Sequence, residues 1–149
     1  MEKKIIEELS NQFRIISTQA VIRSQLIANK LKINSTDLET IEVLFRYGRI
    51  TAGNLANELR LTTGAITGIV DRLEKKGFAQ RELDTKDRRK VFIAINMENV
   101  TKKVVPLYTS LSIKSEELMM QYPEKDIKLI IDFLSKMVQL SNEDLKSLS

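Results

Sequence analysis

The chain has 149 residues and a mass of 17.1 kDa, which at about 150 residues per domain allows one compact domain or two small lobes, and excludes a large multidomain enzyme. Hydrophobic residues make up 42% and charged ones 30%, enough for a core, while only 5 Gly and 2 Pro let most of the chain run as uninterrupted helix. Cysteine and histidine are absent, which removes thiolate and imidazole ligands, a Cys or Ser-His nucleophile and any disulfide framework; the net charge of +4 has meaning only if it is clustered.

From Ile5 to Leu31 there is no Gly or Pro, and Ile6, Leu9, Phe13, Ile16, Ala20 and Ile27 recur at alternating steps of three and four, with Arg23 interrupting the seam. This predicts one long helix. A second row, Ile5, Gln12, Ile15, Gln19, Ile22 and Leu26, widens the stripe beyond the needs of a lone surface helix, so a partner subunit is expected against it. Arg23 reads either as a snorkelling surface residue or as an intersubunit ion-pair partner. The first eight residues lack a signal-peptide core, and no stretch approaches the roughly 20 apolar residues of a membrane span, so a soluble cytoplasmic protein with no membrane partner is expected.

Asn34-Ser35-Thr36-Asp37 breaks the pattern, and Thr36 followed by Glu39 fits a capping box that starts a second helix. Leu38, Ile41, Leu44 and Phe45 form its expected buried face, and it stops at Tyr47-Gly48. Thr51 can cap a short third helix with Leu55, Ala56 and Leu59 inward. After a turn at Arg60-Leu61-Thr62, Ile66, Ile69, Val70 and Leu73 define a helix from Thr63 to Lys76, with Gly77 placed as a C-cap. Phe78 to Leu83 and Val91 to Asn96 read as two strands joined by the charged loop from Asp84 to Lys90. Two closing helices follow, one through Val104, Tyr108, Leu111 and Leu118, which Pro106 must kink or restart, and one through Ile127, Ile130, Ile131, Leu134 and Val138. The order predicts a mainly α fold with a small β-hairpin wing. A winged helix-turn-helix at residues 36–96 joins a helical dimerisation lobe formed by residues 1–35 and 97–149.

On the Thr63 to Lys76 helix, Gly64, Gly68, Asp71 and Lys75 lie opposite the apolar row. Each exposed glycine costs about 1 kcal/mol relative to alanine inside a helix, a sizeable part of a typical total stability of roughly 5 to 15 kcal/mol. Either these are tolerated surface glycines, or the bare backbone closely approaches a DNA groove. In the second case Thr63 and Thr67 reach base edges or a thymine methyl, and the helix N-terminus suits phosphate. Asp71 is expected to pair with Lys75 one turn on, with a cytosine contact as the alternative, and Arg72 either reaches a phosphate or is merely solvated. Lys86, Arg88, Arg89 and Lys90 surround Asp87, which reads as a solvated hairpin tip or as a wing whose arginine enters a narrow minor groove. Nine Lys+Arg and five Asp+Glu lie between Arg60 and Phe92, so the chain's whole excess of +4 sits there.

The run Leu61-Thr62-Thr63-Gly64-Ala65-Ile66-Thr67-Gly68-Ile69-Val70-Asp71-Arg72-Leu73-Glu74-Lys75-Lys76-Gly77-Phe78 resembles the recognition helix of the multiple antibiotic resistance regulator (MarR) family, and Asp87-Arg88-Arg89 resembles its wing signature D-x-R. Element order matches over essentially the whole chain, and residue-level likeness covers residues 36–96. The resemblance implies a homodimeric bacterial transcription regulator whose first and last two helices form the dimer lobe. It also implies that Arg89 inserts in the minor groove while Asp87 braces the wing. The expected contacts to double-stranded DNA are Thr62, Thr63, Gly64, Thr67, Gly68, Arg72, Lys75, Lys86, Arg88 and Arg89. Many members of that family bind small aromatic anions between lobe and winged helix. Phe13, Phe45, Arg46 and Tyr47 are thus candidates to line a pocket for a small aromatic or anionic effector, or else are core. Where the family pattern has Thr and, three residues on, Gly after the second strand, this chain has Asn96 and Asn99. No catalytic residue, metal or cofactor is expected, and thiol-based peroxide sensing is impossible without cysteine. The expected function is a homodimeric repressor of a pseudo-palindromic operator; a winged-helix module that binds protein instead is the alternative, and an enzyme is not expected.

Overall fold

The computed structural model describes residues 2–148. Helix α1 (Glu2–Leu31) ends without a glycine: Lys32 takes a left-handed conformation (φ 55°) and donates to Asn29 O at 3.1 Å, while the Ile33 N–H returns to Ala28 O at 3.0 Å. These paired bonds satisfy the last carbonyls of the helix. Helix α2 (Ser35–Tyr47) is capped by Asn34, whose side-chain oxygen accepts the Asp37 N–H at 2.8 Å. The Thr36–Glu39 capping box does not form, because asparagine caps as well as threonine and starts the helix earlier. Thr36 lies inside the helix, its carbonyl accepting the Thr40 hydroxyl at 2.8 Å. Leu38, Ile41 and Leu44 are buried, whereas Phe45 is 49% exposed; Asp37, Thr40 and Val43 take the other inward positions. At 100° per residue Phe45 falls between Leu38 and Ile41 on the same stripe, so its exposure comes from its place in the last turn of α2, where the chain leaves it uncovered.

Gly48 (φ 71°) ends α2 and leads into β1 (Arg49–Thr51), a strand absent from the sequence reading. Three residues are too few to show alternation; the strand exists because it pairs antiparallel with β3 (Val91–Ile95), Ile50 opposite Ile93. Thr51 accepts the Asn54 N–H at 3.2 Å and starts α3 (Ala52–Leu59), which ends on left-handed Arg60. Thr62 accepts the Ala65 N–H at 3.2 Å and starts α4 (Thr63–Lys76), which Gly77 closes at φ 76°. Strand β2 (Ala79–Leu83) completes an antiparallel sheet of order β1-β3-β2, and the β2–β3 loop forms the wing.

Three helices close the chain rather than two: α5 (Met97–Lys103), α6 (Pro106–Met119) and α7 (Glu124–Leu148). Asn96 caps α5 by accepting the Asn99 N–H at 3.1 Å, and Pro106 restarts the chain as α6, where its missing N–H costs no helical bond. Leu38, Ile41 and Leu44 of α2, Leu55 of α3, Ile66, Ile69, Val70 and Leu73 of α4, Phe78, Ile93 and Val100 make one core. Burying each such side chain is worth about 1.5–3 kcal/mol, so α4 is seated by its apolar row and keeps the opposite face outward.

The chain divides into two compact units at Leu107/Tyr108. In the first, Arg23 donates through Nη2 to the Leu107 carbonyl at 3.0 Å, an intrachain partner that neither sequence alternative named. The same unit leaves Ile5, Ile6, Leu9, Ile16, Val21 and Ile22 of α1 exposed. In the second, Leu129, Ile130, Leu134 and Val138 of α7 are exposed, and no described residue of α6 or α7 is buried. Among the described residues no helix is long and apolar enough to cross a membrane.

Candidate nucleic-acid interface

The outward face of α4 begins at its cap. The Thr62 oxygen accepts the Ala65 N–H, and Thr63, one position on, is exposed. A side chain at Gly64 would meet nothing within 4 Å, and one at Gly68 would touch only Arg72 Nη1 at 3.6 Å. Thr67 spends its hydroxyl proton on the Thr63 carbonyl at 3.1 Å, leaving its methyl and its oxygen lone pairs outward. Around Gly64 and Gly68 such a face can approach a nucleic-acid groove at backbone distance, offering it threonine methyls and acceptors.

Its acidic residues are neutralised from the sheet. Arg81 of β2 donates its backbone N–H to Glu74 Oε1 at 2.7 Å and its Nη2 to Asp71 Oδ1 at 2.7 Å, and its Nη1 also bonds Glu74. A further Nη2 contact reaches the Thr67 carbonyl at 3.3 Å. Partial burial disfavours the Arg81 charge, but the hydrogen bonds and charges of Asp71 and Glu74 outweigh it and raise its pKa. The expected Asp71–Lys75 pair is thus replaced: a guanidinium from the neighbouring strand engages two carboxylates at once, which an ammonium one turn away cannot. Lys75 and Lys76 join no ion pair among the described residues, so their charges remain outward.

Arg72, read either as a phosphate contact or as a solvated side chain, grips Asp37 through two of its nitrogens: Nε lies 3.2 and 3.0 Å from Oδ1 and Oδ2, and Nη2 lies 2.7 Å from Oδ1. That hydrogen bonding, helped by the charges of Asp37 and Asp71, raises the Arg72 pKa against the cost of desolvation. At the far end of α4, the side-chain amide of Asn99 donates to Gly77 O at 2.8 Å and to Lys76 O at 3.4 Å, satisfying terminal carbonyls. The departure from the family pattern at Asn96 and Asn99 therefore provides a cap for α5 and a tie to α4. Sequence reasoning missed Asp37, Arg81 and Asn99 as site residues. One signal for Asp37 was available, because a carboxylate four and seven residues before Ile41 and Leu44 lies on the apolar stripe and requires a cation there.

In the wing, Asp87 Oδ1 accepts the Arg89 N–H and Nε, each at 3.1 Å, and Oδ2 accepts Nη2 at 3.4 Å. The Arg89 side chain is nonetheless 92% exposed, and Lys86 and Arg88 are exposed beside it. The Arg89 side chain, then its backbone N–H, holds the Asp87 carboxyl below the usual aspartate value. A depressed folded-state value means that the bracing is fully present above the ordinary aspartate pKa of about 3.9 and is lost as pH falls through the lower one. The Arg89 amide resonance is therefore expected to hold constant down to about pH 4 and shift only below it; in Asp87→Asn that acid transition should be missing. A transition centred at or above the ordinary aspartate value would contradict the bracing.

The candidate pocket residues are spread out. Phe13 is half-buried on α1, while Phe45, Arg46 and Tyr47 are exposed at the end of α2. Tyr47 donates its hydroxyl to Glu58 Oε1 at 3.0 Å; that bond and the Glu58 charge raise its pKa. It lines an open groove with Arg49, Asn54, Asn57, Glu58 and Phe92, in which the Arg49 guanidinium sits 3.9 Å over the Phe92 ring, and none of Phe13, Phe45 and Arg46 borders it. With Phe45 49% and Tyr47 48% exposed, neither is core. Among the described residues no group of acidic side chains could hold a metal ion.

Comparison with known proteins gives a consistent set of likenesses. The MarR family model matches residues 33–91. A protein of Bacillus subtilis (strain 168), YcgE, described as an uncharacterized HTH-type transcriptional regulator, is 36% identical over 136 residues, covering 91% of this chain and 88% of its own. Two solved structures of S. aureus MepR point mutants share the fold. One, from a multidrug-resistant clinical isolate, has a TM-score of 0.72 at 21% identity over 88% of this chain and 95% of that one. The other, bound to an oligodeoxyribonucleotide, has a TM-score of 0.61 at 22% identity over 88% and 96%.

Proposed function

The chain belongs to the MarR family of DNA-binding transcriptional regulators, and we propose that it is a homodimeric repressor that reads a pseudo-palindromic operator in double-stranded DNA through α4 and the wing. The observation that carries this reading is the bare outward face of α4, with open space at Gly64, threonines around it and both of its carboxylates tied back by Arg81. Thr62, Thr63, Gly64, Thr67 and Gly68 set sequence choice; Lys75, Lys86 and Arg88 meet phosphates; Arg89 enters the minor groove, braced by Asp87. The oligonucleotide bound to a structurally similar MepR mutant supports a DNA partner.

The exposed apolar side chains of α1 and α7 support a second copy, since a soluble monomer rarely leaves such long apolar rows uncovered. Residues 36–96 would then be the DNA-reading part and residues 1–35 and 97–149 the dimerisation lobe, setting the two α4 helices about 34 Å apart in successive major grooves. Repression follows from occupying the operator, in the cytoplasm where the DNA is. The open groove that brings together Tyr47, Arg49 and Phe92 supports a response to a small aromatic or anionic effector. A winged helix that binds protein would present an apolar or acidic α4 face, which this one is not.

Binding to a duplex selected from the source genome tests the proposal. With about 6–10 phosphate contacts, affinity should fall roughly 10³- to 10⁵-fold between about 50 and 200 mM salt, with a preference over random duplex at every concentration. A flat salt response, or no preference, would overturn it.

A further inference from the structure

Asp37 is 2% exposed, a carboxylate enclosed in the first turn of α2. Its cation, Arg72, is 49% exposed in the side chain, so the pair spans from the core to the surface of α4. A pair of well-packed apolar residues would hold α2 to α4 at least as firmly as this ion pair, so stability alone does not account for it. What the pair does accomplish is orientation. Asp37 engages Nε and Nη2, while Nη1 makes no hydrogen bond within the described chain and lies 3.6 Å from where a Gly68 side chain would begin. The glycine that leaves the groove face bare also leaves room for Nη1 to stand there.

Beside it opens a cleft of about 520 Å³ lined by Lys32, Ile33, Asn34, Asp37, Arg72, Lys75 and Lys76. Four cations meet one carboxylate, and that carboxylate is spent on Arg72. No ion pair joins Lys32, Lys75 or Lys76 among the described residues, and the left-handed turn at Lys32 is fixed by its bond to Asn29. Resting on the reading that α4 faces DNA, we propose that Arg72, oriented by Asp37, forms with Lys32, Lys75 and Lys76 a preformed seat for a backbone phosphate at the flank of the groove. A guanidinium held at Nε and Nη2, among three lysines, suits the anionic non-bridging oxygens of a phosphodiester better than the bidentate edge of a single base. Arg72 is the contact and Asp37 a positioning residue that acts through it.

The test measures affinity for the selected operator and for random duplex across salt. Arg72→Ala and Lys32→Ala should each lower both affinities about tenfold and reduce the slope of log K against log salt by about 1, leaving operator preference unchanged. Arg72→Lys, which keeps the charge but cannot be gripped at two nitrogens, should keep the slope and still lose affinity. Asp37→Asn should weaken binding although it removes a negative charge, and should add nothing when combined with Arg72→Ala. Unfolding temperature and oligomeric mass are followed throughout; if Asp37→Asn does not fold, the Arg72 and Lys32 variants decide alone. An unchanged slope, a selective loss of operator preference, or a further loss from Asp37→Asn in the Arg72→Ala background would overturn the seat. So would binding of inorganic phosphate that Arg72→Ala abolishes while leaving duplex affinity unchanged, which marks a free-anion site. Wild-type protein that binds no duplex would overturn the DNA reading itself, a result distinct from all of these.

Discussion

Gly68→Leu is expected to abolish operator preference while making the protein harder to unfold. The two effects oppose each other because the glycine has no structural role inside the chain. Its backbone is ordinary helix, and a Cβ there would meet only Arg72 Nη1, at a van der Waals distance of 3.6 Å. Replacing a helix-interior glycine gains about 1 kcal/mol of helix propensity, so thermal unfolding should move upward. Against DNA, a side chain of that size holds the α4 backbone off the base edges. Each good base contact contributes about 1–3 kcal/mol of discrimination, so losing two or three erases the difference between operator and random duplex. Gly68→Ala should give the same gain in stability with a smaller loss of binding. Electrophoretic or anisotropy titrations beside calorimetric unfolding read both quantities; a destabilised Gly68→Ala, or a leucine variant that still discriminates, would contradict the close approach of α4.

Arg89→Ala should reduce operator affinity about ten- to a hundredfold, with unfolding temperature and oligomeric mass unchanged. The side chain is 92% exposed and among the described residues its one ion-pair partner is Asp87, so the folded chain gives up little when it is removed. A narrow minor groove concentrates negative potential, and Arg89 is the wing residue we propose enters it. The loss should be largest for operators whose wing-facing step is A·T-rich and should shrink when that step is changed to G·C. Equal binding by wild type and variant would remove the wing from the interface, and a lower unfolding temperature would give Arg89 a structural role instead.

Much of this site was legible before any coordinates. The bare face of α4 follows from placing Gly64, Gly68, Asp71 and Lys75 at 100° per residue, and the bounds Thr63–Lys76 match the reading because Thr62 and Gly77 are local start and stop signals. The same local logic, applied at Thr36, chose the wrong cap, since Asn34 satisfies the same rule two residues earlier. Strand β1 left no local signal because its three residues are defined by pairing with Val91–Ile95. Phe45 illustrates a third limit: an apolar residue on the stripe but in the last turn of a helix is buried only if a neighbour covers it.

The sequence alone determined the long helices and the hairpin strands, the termini of α4, the concentration of positive charge between Arg60 and Phe92, and the family likeness carried by the α4 and wing motifs. All of these rest on residues within about one or two helical turns of each other, where backbone geometry dictates who meets whom. Only the tertiary structure decided the partners of the charges. Asp71 faces Arg81, ten residues away, rather than Lys75; Asp37 and Arg72, 35 residues apart, form one buried-to-surface pair; and Asn99 closes α4 from another helix. An ionic side chain selects the counter-charge that packing brings within about 3 Å, and which one arrives depends on how α2, α4 and β2 close on a shared core.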